Sequence, residues 1–159
     1  MSIILGVNAY HPGASAAVLI DGVPVAAVAE ERLNRIKYFA GFPKLAIHHC
    51  LNSAGLTLRD VDVVSIGRAP SANRSRKILY ALNHPTKFIN LLKIRTSRSG
   101  LNNIKQLVAT QCETNVQQLR FSIEFIEHHL AHVASAYFIS PWEKAAGISI
   151  DGSGDFVSC

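Results

Sequence analysis

The run His128-His129-Leu130-Ala131-His132 places two imidazoles four residues apart. On a helix that spacing sets both rings on one face, within reach of a single ion. Neutral imidazole suits zinc, iron, copper or nickel. The run follows a predicted strand directly, and strand ends are where α/β folds place ligands. Alone, the pair fits a structural or solvent-facing role better than a metal site. A second pattern lies downstream in Ile148-Ser149-Ile150-Asp151-Gly152-Ser153-Gly154-Asp155. It sets a carboxylate at a strand end, followed by glycines. Asp151 offers an oxygen ligand, while Gly152 and Gly154 leave backbone N–H groups open to phosphate oxygens because no Cβ shields them.

Two further segments carry candidate chemistry. Asn8-Ala9-Tyr10-His11-Pro12-Gly13-Ala14-Ser15 joins the first two predicted strands. His11 is a candidate general base, since imidazole titrates near neutral pH. Ser15 can hydrogen-bond a ligand. Glu30-Glu31-Arg32-Leu33-Asn34-Arg35-Ile36-Lys37 mixes charges; without context it reads as an exposed strand end with local ion pairs, each contributing little. His48 falls beside an apolar stripe and reads as packed. Cys50, Cys112 and Cys159 are odd in number and far apart, which suggests unpaired thiols and neither a disulfide framework nor a cysteine zinc site.

The elements that must position these residues follow from the hydropathy pattern. Residues 3–7, 14–20 and 23–29 read as three strands of a meander, with Asp21-Gly22 as the hairpin turn and Pro24 near a strand start. Phe42-Pro43 starts a helix whose stripe is Leu45, Ile47, His48, Leu51 and Ala54, with Gly55 just past its end. Residues 61–66 form a fourth strand. Residues 75–119 are mostly helical, broken at His84-Pro85 and Ser99-Gly100. Residues 121–127 form a fifth strand, 129–138 a short helix, and 145–151 a sixth strand. The expected fold class is α/β, an actin-like ATPase (ribonuclease-H-like) lobe with a mixed five-stranded sheet and helices on both faces. Residues 1–140 are expected to make the first lobe, and 141–159 the first strand and glycine turn of a truncated second lobe.

The chain has 159 residues, 48% of them hydrophobic and 17% charged, a globular composition that excludes a disordered one. No stretch nears the roughly 20 apolar residues of a membrane span, and the amino terminus lacks a basic signal-peptide region. A soluble cytoplasmic protein without membrane partners is expected. The net charge is +5. Its excess is concentrated between Arg68 and Lys105, a stretch without Asp or Glu. This stretch reads as a solvated helical face, and with no RNP, KH or zinc-finger signature nucleic acid is not the expected partner.

Taken together, the segments resemble the O-carbamoyltransferases of nodulation-factor and antibiotic biosynthesis. The residues that carry the resemblance run from Ile4 to Val7, with His11 and then Ser15 to Val18. Ala29-Glu30-Glu31-Arg32 with Arg35 and Lys37, Phe42-Pro43 with Ala46-Ile47, the His128 to Ala136 run, and Ile150-Asp151-Gly152 with Gly154 complete it. The resemblance implies an enzyme, a carbamoyltransferase, whose actin-like domain moves a carbamoyl group from carbamoyl-adenylate to a substrate hydroxyl, often on a sugar. It implies ATP and carbamoyl phosphate as co-substrates, and separate carboxy-terminal domains that make the adenylate. His128, His132 and Asp151 match metal ligands, for Fe2+ or alternatively Zn2+. His11 matches the residue that deprotonates the acceptor. Arg32, Arg35 and Lys37 match groups that hold the carbamoyl or phosphate part, with Ser15, Gly152 and Gly154 beside the cofactor. The family's fourth metal ligand, a downstream Asp, has no counterpart here, and Ser153 and Asp155 depart from the larger apolar residue and Glu more usual in that turn. The chain is therefore expected to be an amino-terminal fragment, inactive alone. The competing expectations are another actin-like kinase or ATPase, which would bind magnesium through carboxylates, and a non-catalytic binding lobe.

Overall fold

The computed structural model describes residues 1–69, 73–83 and 104–151. The chain divides into two compact units, one of residues 1–66 and 101–124, the other of 67–100 and 125–159.

The first unit is built on a mixed five-stranded sheet. Its strands are β1 (Ile3–Asn8), β2 (Ser15–Ile20), β3 (Val23–Ala29), β4 (Val63–Ile66) and β5 (Ser122–Phe125), in the order β3-β2-β1-β4-β5. β1 runs antiparallel to β2 and parallel to β4. A meander followed by a crossover to the far side of its first strand is the actin-like, ribonuclease-H-like lobe expected from the sequence. The β2–β3 turn has positive φ at both Asp21 (50°) and Gly22 (81°), the type I′ hairpin that matches strand twist. Pro24 sits on the edge strand β3, next to a register shift opposite Val18 and Leu19, where a missing donor costs least. Asp62 stitches three strands. Its N–H donates to Ile3 O at 2.9 Å, its carboxylate accepts from Ile3 N at 2.8 Å, and its carbonyl accepts from Ser122 N at 2.9 Å.

One face of the sheet carries the core. Ile3, Leu5, Val7, Ala16, Val18, Val64 and Ile66 alternate inward along their strands. Against them pack α2 (Lys44–Ser53), through Ala46, Ile47, Cys50 and Leu51, and α4 (Ile104–Gln111), through Ile104, Val108 and Ala109. Phe121 is fully enclosed, with Lys105 Nζ 5.4 Å from its ring centroid. The buried stripe of α2 is rotated from the expected one. Leu45 and His48 face outward, and the small residues Ala46 and Cys50 take the inward places. The expectation that His48 is packed is thereby corrected. Small side chains suit close approach to the sheet, and they weigh little in a hydropathy pattern.

Residues 30–37 also differ from expectation. They do not continue the strand. Glu30–Asn34 forms a short helix, α1, which ends at Arg35 in the left-handed conformation (φ 64°). Glu30 is 3% exposed, so it is no surface ion-pair residue. Its carboxylate accepts from the N–H groups of Ala46 (2.7 Å) and Leu45 (3.2 Å), capping α2 from a remote part of the chain. Pro43, directly before α2, contributes no side-chain cap, and this leaves those donors to Glu30.

The other end of α2 behaves as predicted. Gly55 has φ +67°, Leu56 N–H donates to Leu51 O and Gly55 N–H to Asn52 O, the paired bonds of a Schellman motif. A Cβ at Gly55 would meet no atom within 4 Å, so only backbone strain opposes one. Gly55→Ala should therefore lower unfolding free energy by about 1 kcal/mol, read from urea midpoints; an unchanged midpoint would refute the assignment.

Cys50 and Cys112 are free and buried. Burial pushes the Cys112 thiol up to about 11 and raises Cys50 as well. Because the thiolate is the reactive form, both should resist iodoacetamide in the folded protein and react once it is unfolded in urea. Peptide mapping of the alkylated protein reads this directly, and native labelling at Cys112 would contradict the packing.

In the second unit, α3 spans Arg74–Asn83 and exposes Ile78, Leu79 and Leu82. α5 spans His128–Tyr137. Residues 145–151, expected as a strand, join no ladder among the described residues. A strand is defined by its partner, and local hydropathy cannot supply one. Among the described residues no helix is long and apolar enough to cross a membrane.

Candidate metal centre

α5 begins at His128 because Glu127 caps it. The Glu127 side chain accepts from Leu130 N–H at 2.7 Å. Burial raises the Glu127 carboxyl, but N–H bonds from Leu130 and His129 and the nearby imidazoles outweigh it and hold the group below its ordinary value. With its first turn so fixed, the helix projects His128 and His132 from one face, their ring centroids 4.6 Å apart and nearly perpendicular. Their Nε2 atoms lie 3.2 Å apart.

The segment at 145–151 brings Asp151 to this pair. Asp151 Oδ2 lies 2.7 Å from His128 Nε2 and 3.7 Å from His132 Nε2. One ligand atom from each of the three residues falls within 4.8 Å of the others. His128 is 19% exposed, Asp151 36% and His132 53%, so the cluster is enclosed on the His128 side and open on the His132 side. Around an ion with bonds of about 2.1 Å, ligand atoms sit about 3.0–3.4 Å from each other. The observed separations bracket that range. Two imidazoles and a carboxylate form a donor set of the kind that suits iron or zinc.

His129, between the two candidate ligands in sequence, faces the same segment two residues upstream of Asp151. It is buried, and its Nδ1 lies 3.0 Å from Ser149 Oγ. The sequence pattern did not single out either residue, although the alternation of Ser149 with Asp151 was there to be read. Gly152 and Gly154 lie outside the described residues, as does Cys159.

The remaining candidates belong to the first unit. His11 is exposed in the loop between β1 and β2, with Nδ1 3.0 Å from Pro12 O. A carbonyl only accepts, so Nδ1 carries the proton and Nε2 is the basic nitrogen. Ser15 opens β2, half-buried and paired with Asn8 and Ala29. The His11 loop is tied to the segment that follows α1: Tyr10 N–H donates to Gly41 O and Ala14 N–H to Phe39 O, each at 3.1 Å. That segment is shaped by Glu31, which accepts from Tyr38 N–H, and by Asn34, which accepts from Ile36 N–H. Arg32, Arg35 and Lys37 are exposed on α1 and just beyond it, so the loop with the candidate base and the short basic stretch lie side by side.

A family profile described as Carbamoyltransferase N-terminus matches residues 3–159. Among curated proteins, the chain is 34% identical to an uncharacterized protein of Synechocystis, over 99% of this chain and 26% of that one. It is 33% identical to the nodulation protein NolNO of Sinorhizobium fredii, over 95% of this chain and 21% of that one. The chain thus spans about a quarter or less of the length of these two relatives. Among solved structures, YeaZ from Pseudomonas aeruginosa aligns with a TM-score of 0.42 and 17% identity, over 86% of this chain and 49% of that one.

Proposed function

This chain belongs to the carbamoyltransferase N-terminus family, and from that premise we propose that it is the amino-terminal part of an ATP-dependent O-carbamoyltransferase. The reaction moves a carbamoyl group from carbamoyl-adenylate, made from ATP and carbamoyl phosphate, to a substrate hydroxyl, with a sugar as one candidate acceptor. In this reading residues 1–140 make the first lobe and 141–159 begin the second, with further domains completing the site. The observation that carries the metal-assisted part is the convergence of His128, His132 and Asp151.

A bound divalent cation supplies Lewis acidity toward a carbonyl or phosphoryl oxygen. His128, His132 and Asp151 would hold it. His11 takes the proton of the acceptor hydroxyl at Nε2 as the acceptor oxygen bonds to the carbamoyl carbon. The bond from that carbon to the phosphate oxygen breaks, and AMP leaves. Arg32, Arg35 and Lys37 supply positive charge for the phosphate; Ser15, Gly152 and Gly154 supply hydrogen bonds to the nucleotide.

The test is transfer of labelled carbamoyl from carbamoyl phosphate by the full-length protein, across a panel of sugar and non-sugar hydroxyl acceptors. Transfer that requires ATP and releases AMP is expected. ATP-independent transfer would overturn the adenylate route. His11→Asn should lower kcat by about 100-fold and remove the acidic limb of the pH–rate profile; a parent-like profile would exclude His11 as the base.

A further inference from the structure

The segment of residues 145–151 brings Asp151 Oδ2 to 2.7 Å from His128 Nε2 and 3.7 Å from His132 Nε2, and it makes its own contacts with α5. The side chains of this segment alternate. Ile148 and Ile150 point outward, 83% and 84% exposed, while Ser149 and Asp151 turn toward the histidines of α5. Gly147 permits close approach, since a Cβ there would fall 2.5 Å from Val133 Cγ1. A polar contact on the inner side is the His129–Ser149 pair, 3.0 Å long and two residues from Asp151. His129 lies on the same helix turn as His128, and it is the buried imidazole of the three.

We propose that His129 and Ser149 form a positioning link that sets Asp151 against His128 and His132, so that the strength of metal binding at this centre depends on a hydrogen bond outside the ligand set. The inference rests on the metal-centre reading given above. Groups one step removed from a metal orient its ligands, and their loss commonly weakens binding about 10- to 100-fold. Either ring tautomer suits the link, because a serine hydroxyl both donates and accepts.

The experiment titrates the metal-stripped full-length protein with Co2+ and follows its ligand-field absorption. Ser149→Ala, which removes one half-buried hydroxyl, should weaken Co2+ binding about ten-fold with far-UV circular dichroism and melting temperature unchanged. Ser149→Thr should restore it. His129→Phe, which fills the buried volume without a hydrogen bond, should match Ser149→Ala, and the double variant should be no weaker than either alone. Parent-like binding by Ser149→Ala, or failure of Ser149→Thr to restore it, overturns the link while leaving the ligand set standing. The control is His128→Ala/His132→Ala; if that protein binds Co2+ like the parent, the metal-centre reading itself falls, and the link with it.

Discussion

Full-length protein prepared anaerobically should contain about one equivalent of iron or zinc, and the His128→Ala/His132→Ala form should contain none. Both Nε2 atoms and Asp151 Oδ2 converge on one volume, and the double substitution removes both imidazoles of the candidate set. The carboxylates that remain lack the affinity and geometry to retain iron or zinc through purification. Carbamoyl transfer should fall with the metal by about 1,000-fold or more, since that Lewis acidity is worth several kcal/mol. Elemental analysis beside the transfer assay reads both. Stoichiometric metal in the double variant would place the ion elsewhere. Metal lost with transfer retained would make the centre structural.

The second large effect concerns stability. Glu30→Ala should lower unfolding free energy by about 3 kcal/mol. Two charge-assisted hydrogen bonds disappear, and the N–H groups of Leu45 and Ala46 at the start of α2 lose their acceptor, the Ala46 bond being buried and the Leu45 bond partly so. The negative charge at a helix N-terminus is lost as well. Glu30→Gln keeps one acceptor oxygen and should cost about half as much. Chemical denaturation of all three proteins measures the series. A Glu30→Ala midpoint within error of the parent would mean that water satisfies those donors. The consequence reaches the candidate site: α1 carries Arg32 and leads into Arg35 and Lys37, so loosening Glu30 loosens the basic stretch beside the His11 loop.

Much of this was legible in the residues. The meander, the Asp21-Gly22 turn, the Gly55 helix end and the helical His128/His132 pair are all local patterns. Each depends on neighbours within about four positions, and backbone geometry translates that spacing into direction. Other features were hidden because their causes lie far away in the chain. The role of Glu30 depends on donors fifteen and sixteen residues on, so its charge pointed to the surface while its hydrogen bonds drew it inside. His48 and Leu45 looked like core residues, but the sheet admitted Ala46 and Cys50 in their place.

By itself the sequence determined the strand meander, the helix ends and the family, since composition and short-range patterns encode those. Only the tertiary structure decided which atoms meet. It set Asp151 on His128 across 23 residues, joined His129 to Ser149 beside it, and closed Glu30 over α2. Those contacts arise from packing between distant segments, where the unpaired donor or acceptor that must be satisfied, and not the local pattern, selects the partner.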